Sequence, residues 1–143
     1  MAYSERNIWA QLIASIVGTA VYLSIVLPQL DRPVDDIDWA WPMAWTIIGA
    51  IVASIVISIV WGILAGMRDP DEEHSADQRD REIGWFGDRI GQAFSVIGGV
   101  AALILAMVEA HWFWIGNVLF LGFFLSASLS AIARLIAYRR GFQ

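Results

Sequence analysis

Long apolar runs and short charged segments alternate along this chain. The apolar runs cover 8–27, 43–67, 90–108 and 112–136, separated by an acidic connector over 28–42, a charged segment over 68–89 and a tight turn at Glu109, Ala110 and His111. A helix rises about 1.5 Å per residue, so about 20 apolar residues cross a hydrocarbon core of about 30 Å. Each run meets that length, and the second and fourth, at 25 residues, leave room for tilt. The pattern predicts an all-α polytopic membrane protein, four transmembrane helices in an antiparallel bundle, forming a single integral membrane domain over 1–143. The turn before Trp112 is so short that the last two helices must form a hairpin, and no room remains for a separate soluble domain.

The first run competes with a secretory signal. It is too long for a signal's apolar region, and Leu27-Pro28-Gln29-Leu30 leads into Asp31 with no small-x-small cleavage site, so a retained helix is expected. All nine basic residues are arginines; in a four-span arrangement Arg6, Arg68, Arg79, Arg81, Arg89, Arg134, Arg139 and Arg140 fall on one side and Arg32 on the other. The positive-inside rule then places both termini in the cytoplasm. Arginine without lysine, with abundant Ala, Val and Gly, points to a GC-rich bacterial genome and so to the bacterial cytoplasmic (inner) membrane. Net charge is −5, and the segment from Arg68 to Gly91 sets four arginines against eight acids, which argues against a polybasic patch for anionic lipid and against nucleic acid as a partner. With no cysteine, disulfides, thiolate metal sites and cysteine nucleophiles are excluded.

Small residues recur at helical spacing in three of the runs. Ala50, Ser54, Ser58, Gly62 and Gly66 form one stripe; Gly84, Gly87, Gly91, Ser95, Gly98, Ala102 and Ala106 form a second; Gly122, Ser126, Ser130 and then Arg134 form a third. Such stripes let helix backbones approach closely. They predict packing within one bundle or, for one stripe, an interface between protomers of a homo-oligomer or larger membrane complex.

Gln11, Ser15, Thr19 and Tyr22 share one face of the first helix, with Asn117 on the fourth. This face suits either interhelical hydrogen bonds that fix register or the lining of a narrow hydrophilic path; with no charge at the centre of any run, register is the expectation. Trp39, Trp41, Trp45, Trp112, Phe113 and Trp114 gather on the outer side, as an interfacial aromatic belt or as a wall for an apolar ligand. Asp31, Asp35, Asp36 and Asp38, with Glu109 and His111 across the hairpin, match no calcium loop, and Glu72, Glu73, His74 and Asp77 lack a metal-ligand spacing. No metal and no cofactor is expected.

Ser75 with Gln78 reads as a capping box from which a helix runs directly into the third span, so that helix extends into the cytoplasm. Asp77 and Arg81 would pair one turn apart. Ile83, Phe86 and Ile90 give this extension an apolar edge, while Arg79, Asp80, Glu82, Asp88 and Arg89 face water or a neighbour. Arg79, Asp80, Arg81 and Glu82, with Arg139 and Arg140 of the tail, are the candidate docking residues for a cytoplasmic protein partner; a solvated extension is the plainer reading.

The run Ala76-Asp-Gln-Arg-Asp-Arg-Glu-Ile83, an apolar hairpin, and Ala133-Arg-Leu-Ile-Ala-Tyr-Arg-Arg-Gly-Phe142 resemble a group of small four-span bacterial membrane proteins common in actinobacteria. The likeness covers about Asp71 to Phe142, and this chain departs from it at Gly84-Trp85-Phe86-Gly87. Members of the group often sit beside small helix-turn-helix regulators, so the resemblance implies an accessory or regulatory role and carries over no site residue. Three classes follow: an accessory, regulatory or scaffolding subunit acting through protein contacts; a small oligomeric channel or transporter; and an enzyme. Multidrug exporters of this size need an intramembrane carboxylate that is missing here. No nucleophile triad, ligand spacing or cofactor motif supports an enzyme. The first class is the expectation.

Overall fold

A computed structural model describes residues 3–66 and 78–140. The candidate capping residue Ser75, together with Arg68, Glu72, Glu73, His74 and Asp77, lies outside the described residues. Four helices account for most of the described chain: α1 (Tyr3–Val26), α2 (Ala40–Gly66), α3 (Gln78–Met107) and α4 (Trp112–Arg140). Each holds a stretch long and apolar enough to cross a bilayer. α1 starts ahead of its apolar run and takes Glu5 into its first turn, where a carboxylate favours the positive end of the helix dipole. α4 runs past its apolar stretch, so Arg139 sits in the last turn, where the dipole favours a cation.

Helices α3 and α4 form the most extensive pair. Their matched positions descend one helix as they climb the other: Gly98 faces Gly122, Gly91 faces Ser126 and Ser130, and Asp88 meets Arg134. A methyl group on Gly98 would lie 2.7 Å from the Gly122 Cα, so the two backbones touch with no side chain between them. The turn joining them places Glu109 at φ 55°, in the left-handed region that usually falls to glycine at a helix end. Ala110 N–H donating to the Leu105 carbonyl at 2.9 Å closes the end of α3. His111 then opens α4, its Nδ1 accepting from the Phe113 N–H at 3.2 Å.

The remaining contacts fall in a line. α1 packs on α4 through Ile8 and Leu12 against Ala131 and Leu135, and α2 packs on α1. The order across the molecule is therefore α2, α1, α4, α3. No residue in the most apolar stretch of α2 is buried. The acidic connector differs from a solvated linker. It forms two 3-10 turns, Leu27–Gln29 and Val34–Asp36, and buries Ile37 with Tyr22, Val26, Met43 and Phe113. The apolar residues interspersed among its aspartates, Val34, Ile37 and Trp39, pull it down onto the helix ends as a strap.

Candidate functional site

From Asp88 to Met107, α3 rises about 28 Å, which matches a hydrocarbon core of about 30 Å. Among the described residues, side-chain hydrogen bonds and ion pairs between elements gather at the two edges of that layer, and one face of α1 carries Gln11, Ser15 and Thr19 between them.

At one edge, an Arg134 amino group donates to Asp88, which is 68% exposed at its side chain. The stem of Arg134 lies over Gly87, where a side chain would collide with it, and its Nε is buried without a hydrogen-bond partner. One turn beyond, the Tyr138 hydroxyl donates to Asp80 at 2.8 Å. Arg139 stands 3.9 Å from Glu5 and 5.8 Å above the Trp9 ring. These contacts clasp α3, α4 and α1 together where α3 extends beyond the apolar layer. Ile83, fully buried, gives the clasp its apolar floor.

At the other edge, His111 Nδ1 accepts a backbone N–H, so the ring hydrogen resides on Nε2 and is donated to Asp35 at 2.8 Å. Trp39 covers Gly116 and meets Phe113 edge-on, with ring centres 5.9 Å apart. Below it, the Tyr22 hydroxyl donates to Asn117, whose amide donates to the Phe113 carbonyl at 2.8 Å.

Between the edges runs an open groove of about 620 Å³ bounded by α1, α2 and α4. Gln11, Ser15 and Thr19 line it from α1, Ala50 and Ser54 from α2, and Phe120, Phe123 and Phe124 from α4. At its Arg134 end it adjoins a smaller cavity of about 250 Å³ lined by Gln11, Asp88, Gln92, Ser126, Ser130 and Arg134; Gln11, Ala127 and no charged group stand at the junction.

The structure sorts the residues singled out by sequence. Arg79, Arg81 and Glu82 are exposed, Asp80 is taken up by Tyr138, and Arg139 lies over Trp9. The side chain of Arg140 and the surroundings of Gly66 lie outside the described residues. Gly91, Gly98, Ala102 and Gly122 are buried between α3 and α4, with Ser95, Ser126 and Ser130 half-buried. Ala50, Ser54, Ser58 and Gly62 are half-buried, and the first two open onto the groove. Of the polar face of α1, Tyr22 bonds another helix, while Gln11, Ser15 and Thr19 line the groove. Among the described residues, no group of three or more His, Asp or Glu side chains converges as metal ligands would.

Sequence reasoning did not join Asp88 to Arg134, Asp80 to Tyr138 or Asp35 to His111. One signal was available: Arg134 extends the spacing of Gly122, Ser126 and Ser130, so it had to face α3. No protein-family model matches this chain, and no curated protein or solved structure matches it significantly.

Proposed function

We propose that this protein is a non-catalytic accessory, regulatory or scaffolding subunit of the bacterial cytoplasmic membrane, acting through protein contacts of its charged end. In this reading its helices form an antiparallel bundle with both termini in the cytoplasm, and α3 extends there. The carrying observation is the mounting of that extension. Ile83 is fully buried beneath it, and Tyr138 and Arg134 of α4 hold its Asp80 and Asp88. Arg79, Arg81 and Glu82 therefore stand exposed on a held helix, beside Trp85 at 72% exposure. Fixed exposed charges next to an exposed aromatic ring suit recognition, because little ordering remains for a partner to impose.

Reversing Arg79 and Arg81 to Glu tests this. Exposed ion pairs contribute about 0 to 1 kcal/mol, so insertion and helix content should persist. Partners recovered from native membranes in mild detergent should be lost, since like charges across an interface cost several kcal/mol. Retention of every partner by the double variant would overturn the reading.

The hydroxyls along the groove favour a second reading, a small oligomeric channel or transporter completed by further copies. Purified protein in planar bilayers should then conduct, and Thr19→Leu should reduce the current.

A further inference from the structure

We propose that the joined cavity and groove form a binding site for one phospholipid with a zwitterionic, primary-amine headgroup. This inference rests on the membrane reading and is independent of any partner at the charged end.

The two halves of the site have different chemistry and share a boundary at Gln11 and Ala127. The cavity carries one cation and one anion, Arg134 and Asp88, with Gln92, Ser126 and Ser130 around them. A guanidinium has five N–H donors, and Asp88 engages one Arg134 amino group, which leaves donors for a phosphate. Asp88, largely exposed, offers a carboxylate oxygen to an ammonium. A head bearing both phosphate and primary amine complements this neutral pair. A purely anionic head leaves Asp88 facing negative charge, and a quaternary amine has no N–H to donate to it.

The groove fits the other end of such a molecule. Its walls are the rings of Phe120, Phe123 and Phe124 and the side chains of Ile47, Ile51 and Ile55. Along α1 it runs from Gln11 to Thr19, a rise of about 12 Å, against about 15 Å for half of the hydrocarbon core. It starts at the Arg134 edge and runs along α1 to Thr19, one turn short of Tyr22. That is a path for an acyl chain entering from the edge that carries Arg134.

The test uses the full chain, purified in mild detergent and returned to nanodiscs of phosphatidylethanolamine, phosphatidylcholine or phosphatidylglycerol with identical acyl chains. Native mass spectrometry should find one phosphatidylethanolamine retained per chain, at least about tenfold tighter than the other two. Asp88→Asn removes the anion and keeps the cation, so preference should move to phosphatidylglycerol. Ala127→Phe, at an exposed position at the junction, should abolish retention of all three with helix content unchanged. Equal retention of the three lipids would mean annular lipid only and overturn the proposal, as would an unchanged preference in Asp88→Asn or full retention in Ala127→Phe.

Discussion

Helix α3 lies on α4 and helix α2 lies on α1, yet the two pairs are built differently from similar stripes of small residues. In the first, Gly98 and Gly122 meet backbone to backbone, and Gly87 and Gly91 receive Arg134 and Ser130. In the second, a methyl group on Gly18 would lie 3.3 Å from the Thr46 methyl, and Gly49 has open space where a side chain would go. Glycines on both partners at matching heights give backbone contact; Ala50 and Ser54 opposite Gln11, Ser15 and Thr19 leave a gap. Lipid supplies no hydrophobic drive to close that gap, since its tails are as apolar as leucine. The stripe on α2 therefore borders a groove, whereas the stripe on α3 disappears into an interface.

The largest effect should come from breaking the tight pair. Gly98→Leu forces the α3 and α4 backbones apart and should cost about 3 kcal/mol, the upper end of overpacking, in denaturant titrations of the protein in micelles. Gly99→Leu, with nothing within 4 Å of its Cβ position, is the control and should change little. Equal losses in the two would show that the glycine contact is not what holds the pair. The strap that joins the two regions comes next. His111→Ala removes the cap on α4 and the bond to Asp35, and should cost about 1 to 2 kcal/mol by the same measurement; an unchanged midpoint would mean that the strap rests on Ile37 and Trp39 alone.

A gain should come from the turn in the tight pair. Glu109 holds a left-handed conformation at φ 55°, which costs a non-glycine residue about 1 kcal/mol or more, so Glu109→Gly should stabilise by about 1 kcal/mol. Destabilisation instead would assign the Glu109 side chain a role of its own. The smallest effect belongs to the loose pair: Gly49→Leu should shift stability by less than about 0.5 kcal/mol. A larger loss would mean that α2 is held more closely than its open face implies.

Helix number, type and approximate ends were legible because each depends on local composition: a run such as 90–108 announces itself by length alone. The glycines of α3 recur at the spacing of a helix face, which marked a packing surface but left open whether α4 or another protomer would cover it. What could not be read were contacts between distant groups. Asp35 and His111 are 76 positions apart, and nothing about four aspartates in a connector tells which one a histidine will engage. The division of the α1 face was equally hidden. Tyr22 and Thr19 are neighbours on one surface, but which meets Asn117 and which borders the groove depends on where α2 stops approaching α4.

The strap has a mechanical consequence. Trp39 is wedged against Gly116, and Met43 sits in the cluster with Tyr22 and Phe113, so α2 is pinned to the rest of the molecule at one end. Near its other end the described tie to α1 is Arg6 over Trp61, at 6.0 Å. From Met43 to Gly66 the helix measures about 35 Å, so a swing of about 10° about the pinned end carries the far end about 6 Å. α2 is thus tied more firmly at its Trp39 end than at its Trp61 end, and the width of the groove depends on the angle at which it leaves that tie.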